Sequence, residues 1–298
     1  MYGIGRNYKN GVDYCQHILI KKLGLVYLQI KMIMITTKIF SRISIMSFLA
    51  VVLFIGCEKN KDNVFSEYEL VDQTTNAFIK VNYNVAFYNN PGVQLKINGT
   101  RVTGLLNTRY PFPGGGFNTL GGSTGDYFPV KPGNTEVSLT IPKRGTSLDS
   151  LEVYKTTVSL AASKKYSLHV ADSLVRKSLL VEEDASLPDS GYFRMRFVNL
   201  MANVPSIDLY NGSVLVAAAV PFMGISDSFT LPNAAPTSTA WNIRVGGSAA
   251  TSAVIATYTS ASTILQRRVY TAFANGYSGY PTSGTDPRKP YISFYYVR

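Results

Sequence analysis

The sequence has very little cysteine and histidine. Its 298 residues include two cysteines, Cys15 and Cys57, and two histidines, His17 and His169. This scarcity excludes a disulfide framework and a zinc site built from Cys and His. Charged side chains are also sparse, at 16% of the chain. The apolar share of 46% excludes a disordered chain and is sufficient for a hydrophobic core.

The formal net charge of +11 comes largely from the N-terminal segment. Residues 1–56 hold seven Lys or Arg and one Asp, which leaves 22 basic and 17 acidic side chains in residues 57–298. The remaining excess of +5 is spread along the chain, so the sequence predicts no nucleic-acid partner. The total length suits one large domain or two of ordinary size.

An almost continuous apolar run at residues 43–56, ISIMSFLAVVLFIG, follows the basic residues Lys38 and Arg42. A basic flank, a short apolar run and a small residue before a cut are typical of a secretory signal peptide. The run is shorter than the about 20 apolar residues of a transmembrane helix. We therefore predict that residues 1–56 are a signal peptide, with a start placed too early because residues 1–31 fit no signal architecture.

The residues at the predicted cut resemble the bacterial lipobox. The sequence Phe54-Ile55-Gly56-Cys57 places a small residue before a cysteine, although the lipobox prefers Leu where Phe54 stands. The resemblance implies cleavage before Cys57 and its acylation with fatty acids such as palmitate, which suffices for stable membrane anchoring. The polar segment 57–75 would then tether the protein to the bacterial outer membrane, facing either the periplasm or the cell surface.

After the tether, short runs of alternating or β-branched residues recur between Gly, Pro, Asn and Asp. Strands of this length with turn residues between them predict an all-β fold of the β-sandwich type. The runs fall into two sets. They are Ala77–Tyr83, Val93–Ile97, Glu136–Ile141, Lys155–Leu160 and Tyr166–Ala171, then Phe193–Asn199, Ile207–Tyr210, Trp241–Val245, Ala253–Tyr258, Val269–Ala274 and Tyr291–Val297.

The two sets resemble each other in sequence. Val93–Gly99 matches Ser206–Gly212 at an offset of 113, and both runs end in Asn-Gly, a strong signal for a tight hairpin. Lys164–Asp172 matches Arg267–Gly276 to within a residue. We therefore predict two tandem copies of one sandwich, each able to fold alone.

The predicted modules occupy residues 76–180 and 192–298. Between them the acidic segment 181–191, VEEDASLPDSG, has the composition of an exposed linker.

The second copy resembles the domain of unknown function 4397 family. The resemblance rests on an Arg-Phe-Val-Asn strand within Phe193–Asn199 and on Val204–Gly212, in which a Pro precedes an Asp-hydrophobic-Tyr run into Asn-Gly. It is closer over residues 190–298 than over residues 76–175. It implies Ig-like or transthyretin-like sandwiches in a secreted bacterial protein, and no established activity.

Few residues offer catalytic chemistry. His169 is the one candidate base of the mature chain, and no Gly-x-Ser-x-Gly turn accompanies it, so we interpret it as a structural strand residue. The acidic residues Glu182–Asp184 and the pair Asp149 and Glu152 do not predict two carboxylates facing each other across a cleft. The sequence predicts no enzyme activity, no cofactor and no metal site.

Two segments are candidates for ligand binding. The glycine-rich stretch Gly114–Asp126 lacks the Lys and the helix of a phosphate loop, so we interpret it as a flexible surface loop. The second candidate is the tyrosine-rich end, Tyr277–Tyr296, whose rings could either stack on sugars or fill the core. The residues proposed for the ligand loop are Gly114, Gly115, Gly116 and Asp126.

These observations predict a lipid-anchored cell-envelope protein with a non-catalytic role in binding, adhesion or scaffolding. Its predicted partners are the membrane, through lipid on Cys57, and an extracellular glycan or other envelope proteins. The alternative is a hydrolase acting on surface polysaccharide or peptide.

Overall fold

The computed structural model describes residues 22–34, 71–233, 240–259 and 264–298. The chain divides into two compact units, Met1–Leu70 and Val71–Arg298. In the first unit the described residues form a helix at 22–34. Among the described residues, no helix combines the length and apolarity needed to cross a membrane. The apolar run at 43–56 and the predicted lipidation site Cys57 lie outside the described residues.

The unit Val71–Arg298 is all-β, as predicted, and its described part contains eighteen strands in two sandwiches. The strands of the first sandwich are β1 (Ala77–Asn84), β2 (Gln94–Ile97), β3 (Thr100–Arg101), β4 (Tyr110–Phe112), β5 (Phe128–Val130), β6 (Gly133–Pro142), β7 (Asp149–Leu160), β8 (Lys165–Ala171) and β9 (Lys177–Glu182). Those of the second are β10 (Tyr192–Asn199), β11 (Ser206–Asn211), β12 (Val214–Pro221), β13 (Gly224–Ile225), β14 (Phe229–Pro232), β15 (Trp241–Val245), β16 (Ala256–Tyr258), β17 (Val269–Asn275) and β18 (Tyr291–Tyr296).

The two sandwiches have the same topology, strand for strand. One sheet of the first has the order β4-β1-β8-β9 with β5 also on β1, and its counterpart has the order β13-β10-β17-β18 with β14 also on β10. The other sheets have the orders β3-β2-β6-β7 and β12-β11-β15-β16. In both sandwiches the first and eighth strands run parallel. The structure thus shows the internal repeat that the sequence predicted.

The Asn-Gly alignment of the two copies is wrong by one residue. Leu95 and Leu209 are both buried in the cores and occupy corresponding places, opposite Leu139 and Ile243. The offset of 113 would instead place Leu95 on Asp208, on the other side of the pleat. Since neighbouring residues of a strand face opposite sides, such a slip would exchange core and outer faces.

The hairpin turns differ for the same reason. In the first copy Asn98 and Gly99 both have positive φ, 50° and 78°, between the paired residues Ile97 and Thr100. In the second copy Asn211 still belongs to the strand and pairs with Val214. The turn therefore lies one residue later, with Gly212 at a φ of 62°.

The start of the predicted linker 181–191 is part of the fold. Strand β9 continues to Glu182, and Glu183 is only 7% exposed. The sandwiches also share an apolar cluster in which Tyr127 and Ala171 of the first pack with Phe273 and other residues of the second. Cutting at the linker would expose this cluster to water, and the expectation that each sandwich folds alone stays a prediction.

Candidate functional site

Polar side chains meet inside the contact between the two sandwiches. The fully buried ring of His169, on β8, lies between Asn82 and Tyr295: its Nδ1 is 3.1 Å from the Asn82 amide nitrogen and its Nε2 is 3.2 Å from the Tyr295 hydroxyl. Because the Asn82 amide is the donor to Nδ1, the ring proton sits on Nε2 and points to Tyr295. Burial lowers the pKa of His169 to about 3, so the ring is neutral.

The hydrogen-bond chain continues to Glu183. The Tyr295 hydroxyl donates to Glu183 Oε1 at 3.0 Å, and the Thr271 hydroxyl donates to the same oxygen at 3.1 Å. Burial raises the pKa of Glu183. His169 is thus a hydrogen-bonded strand residue, as the sequence predicted. The interpretation of Glu183 as a solvated linker acid is wrong, because this residue, directly after β9, is buried in the contact.

A lysine is also enclosed here. Lys80, on β1, is 0% exposed, and its Nζ donates to the carbonyl of Pro113 at 2.7 Å and to that of Gly114 at 3.3 Å. The ammonium lies 5.0 Å from the centre of the Tyr127 ring. Burial lowers the pKa of Lys80 to about 7. Sequence reasoning missed this residue, although a lysine between Ile79 and Val81 in an apolar strand was a visible signal.

The glycine-rich stretch is packed against the second sandwich rather than free on the surface. Phe117 exchanges two backbone hydrogen bonds with Phe294 of β18, at 2.8 and 3.0 Å. Gly116 has a φ of 105°, and a Cβ there would lie 1.4 Å from the Phe294 carbonyl oxygen. The prediction of a flexible loop is therefore wrong for Gly115 and Gly116, which are buried.

The remaining residues of that candidate ligand loop are more accessible. Gly114 is half-buried and Asp126 is exposed. The structure brings neither of them into the tyrosine-rich surface described below, so a ligand role for this loop stays a prediction.

The candidate carboxylate Asp149 is engaged in structural bonds. Asp149 accepts hydrogen bonds from Gln94 and Thr140 and forms an ion pair with Lys96. A further carboxylate, Asp208, accepts the backbone N–H groups of Ala219 and Gly247, at 2.6 and 3.0 Å. Bound in this way, both side chains hold strands and turns together.

Part of the tyrosine-rich end forms a partly exposed cluster. Arg288 lies with its guanidinium carbon 4.6 Å from the ring centres of both Tyr88 and Tyr280. Tyr277 packs against Tyr280 with ring centres 6.0 Å apart. We call these four residues the Tyr88–Tyr280 cluster. Tyr88 is 67% exposed and comes from the first sandwich, whereas the other three come from the β17–β18 connection of the second.

Neighbouring polar groups fix the cluster in place. Asp286 accepts from Arg288 Nε at 3.1 Å and from Nη2 at 2.8 Å, a bidentate pair that orients the guanidinium. The Tyr277 hydroxyl bonds to Asp172, and it lies 2.9 Å from the Ser173 hydroxyl. Other aromatic residues fill the core, as in the simpler interpretation of the sequence: Tyr83, Phe197, Tyr270, Phe294 and Tyr295 are fully buried.

No group of His, Cys, Asp and Glu in the part of the chain that the structure describes is arranged to hold a metal ion.

The fold and the buried polar contact define the class of the molecule: a tandem β-sandwich protein whose two sandwiches share an interface. Residues 80–210 match the family model described as "Domain of unknown function (DUF4397)", the family that the sequence resembles. No curated protein matches the chain.

The position of the match differs from the expected one. It runs from Lys80 in β1 to Tyr210 in β11, so it covers nearly all of the first sandwich and only the opening strands of the second. The motif residues Phe193–Asn199 lie inside the match. We expected the closer resemblance over residues 190–298, but most of the match lies before residue 190.

Proposed function

We propose that the chain is a lipid-anchored cell-envelope protein that binds an extended surface polymer, a glycan above all, without catalysing a reaction on it. The observation that supports this role is the Tyr88–Tyr280 cluster, in which the exposed ring of Tyr88, the half-buried ring of Tyr280 and a fixed arginine lie side by side. Acylation of Cys57 would hold this surface at the membrane, and residues 58–75 would be its tether.

The cluster has the chemistry that sugar binding requires. Tyrosine rings offer flat apolar faces for the C–H face of a pyranose and hydroxyls for its polar edge. The guanidinium of Arg288 and the carboxylate of Asp286 add hydrogen-bond donors and acceptors for sugar hydroxyls. Such a shallow surface suits a long ligand that covers several contacts, each of them weak.

Rigidity is the second support. Tyr88 belongs to one sandwich and Tyr280 to the other, so the ligand surface keeps its shape only while the sandwiches stay in contact. The buried chain from His169 through Tyr295 to Glu183 stabilises that contact. A preformed surface loses little conformational entropy when it binds.

The test is a glycan array probed with the full-length chain purified in detergent. We expect binding to a subset of glycans, and a loss of at least tenfold in affinity for Tyr88→Ser and Tyr280→Ser. Tyr192→Ser is the matched control, because Tyr192 is 44% exposed on β10. Absence of binding, equal losses in the control, or release of new reducing ends from the bound glycan would contradict the proposal.

A further inference from the structure

A second surface, separate from the Tyr88–Tyr280 cluster, lies where the two sandwiches meet. It is an open groove of about 590 Å³. One side is formed by the start of β8 and the residues around the end of β9, and the other by Arg196 of β10 and Arg298. Its lining is strongly charged. The charged residues are Lys164, Lys165, Glu182, Glu183, Asp184, Arg196 and Arg298.

Three of the basic residues, Lys165, Arg196 and Arg298, form no ion pair with any acidic side chain that the structure describes. Their bonds go to neutral oxygens instead. Lys165 Nζ donates to the Val297 carbonyl at 3.3 Å. Arg196 donates to the Ser228 hydroxyl at 2.9 Å and to a backbone carbonyl, and Arg298 donates to the Ala185 carbonyl at 3.2 Å.

The acidic residues of the groove have other partners. Glu182 pairs with Lys164 at 2.7 Å, and Asp184 pairs with Arg194 at 3.0 Å. Glu183 directs Oε1 toward the hydroxyls of Tyr295 and Thr271. The groove therefore presents three positive charges that form no direct ion pair, although Glu183 and Asp184 lie near enough to attract them.

These charges also lie partly out of water and near one another. Lys165 is half-buried, and burial together with the nearby positive charge of Arg298 lowers its pKa, which the carboxylates of Asp126 and Glu183 only partly offset. A bound anion would reduce this repulsion. Guanidinium groups suit such an anion, because their planar donors can bond two of its oxygens at once.

We propose that this groove binds an oxyanion, a carboxylate, sulfate or phosphate group, between Lys165, Arg196 and Arg298. The group is either part of an acidic polysaccharide or a free inorganic ion. The inference does not depend on the Tyr88–Tyr280 cluster, since the two surfaces share no residue. An acidic polysaccharide that reached both surfaces would gain affinity from each of them.

The experiment is a titration of the full-length chain in detergent with polygalacturonate, dextran sulfate, inorganic sulfate and inorganic phosphate, with neutral dextran as the uncharged polymer. Lys165→Gln, Arg196→Gln and Arg298→Gln should each weaken binding at least fivefold, and Lys165→Arg should retain most of it. Lys155→Gln should leave binding unchanged, because Lys155 is exposed and pairs with Glu136 at 2.7 Å outside the groove.

The possible results separate the two sources. Saturable binding of the acidic polymers that exceeds that of the free ions and is lost in the groove variants supports a group on a polysaccharide. Equal, variant-sensitive binding of inorganic sulfate or phosphate supports a small-ion site. Absence of saturable binding by any of these anions overturns the proposal, as does binding that Lys155→Gln weakens as much as Lys165→Gln. Loss of glycan binding in Tyr280→Ser alone would concern only the proposed function.

Discussion

Tyr166 and Tyr270 occupy the same position in the two sandwiches and make the same hydrogen bond. The Ala161 N–H donates to the Tyr166 hydroxyl at 3.2 Å, and the Leu265 N–H donates to the Tyr270 hydroxyl at 2.8 Å. In both cases the donor lies five residues upstream, in the loop that leads into the eighth strand of its sandwich. The bond fixes the entry of the central parallel strand, in the manner of the tyrosine corner of other β-sandwiches.

Removing these hydroxyls should destabilise the protein. Tyr166→Phe and Tyr270→Phe each leave a backbone N–H without its partner while keeping the ring in the core. We expect each to lower the free energy of unfolding by about 0.5–2 kcal/mol. Urea unfolding measures the change, and Tyr88→Phe is the control because the Tyr88 side chain is exposed. A Tyr270→Phe variant as stable as the wild type would show that the bond contributes nothing.

The packing of the glycine-rich stretch on β18 can be tested at Gly116. Gly116→Ala would drive a methyl group into the Phe294 carbonyl and strain a residue of positive φ. We expect a loss of about 3 kcal/mol or more in the free energy of unfolding. Gly122→Ala is the matched control, since a Cβ at Gly122 meets no atom within 4 Å. Equal stability of the two variants would show that the stretch does not dock.

Burial of His169 predicts a loss of stability on acidification. Its pKa is about 3 in the folded protein against a usual value of 6.5, so between these values the unfolded chain binds more protons. The contribution of His169 to the free energy of unfolding is fully present above pH 6.5. It is lost as the pH falls toward 3, by up to about 1.4 kcal/mol per pH unit.

Glu183 acts in the opposite direction, because its pKa is raised in the folded state. The informative quantity is therefore the difference in free energy of unfolding between the wild type and His169→Phe. Phenylalanine is chosen because Phe273 occupies the equivalent position in the second sandwich. Urea unfolding at several pH values should show that the free energy of unfolding falls less steeply with decreasing pH in the variant than in the wild type. Identical slopes would mean that His169 is not buried as a neutral ring.

The lipid anchor is tested at Cys57. Because the thiol of the cysteine after the cut is the acylation site of the lipobox, Cys57→Ala should abolish acylation and leave the chain uncleaved or in the soluble fraction. Mass spectrometry and membrane fractionation measure both effects, with Cys15→Ala as the control. Wild-type chain without acyl mass on Cys57 would contradict the predicted anchor.

Local pattern was sufficient to predict strands, the sandwich class and the repeat. The sequence matches of Tyr166 with Tyr270 and of Asp172 with Gly276 are confirmed by the structure. Tyr166 and Tyr270 occupy equivalent strand positions, and Asp172 and Gly276 both have a positive φ after the strand, 69° and 86°. Alignment on Asn-Gly failed by one residue because turn residues can shift along a hairpin, whereas the core face cannot.

The contact between the sandwiches was not predicted. Side chains along a strand such as β1 point alternately to its two faces, whether the outer face contacts water or a second sandwich. Glu183 was assigned to an exposed linker because charge usually indicates exposure. Its burial depends on the packing of distant segments, which no local pattern records.

Native-state hydrogen exchange of the full-length chain tests directly whether the two sandwiches form one binding platform. If they unfold together, the slowest amides of β1 and β8 and those of β10 and β17 will exchange with one common free energy, equal to that of global unfolding. Amides of one sandwich that exchange at a clearly lower free energy, while the other stays protected, would show two independent domains. Binding surfaces that depend on both sandwiches would then lose their physical basis.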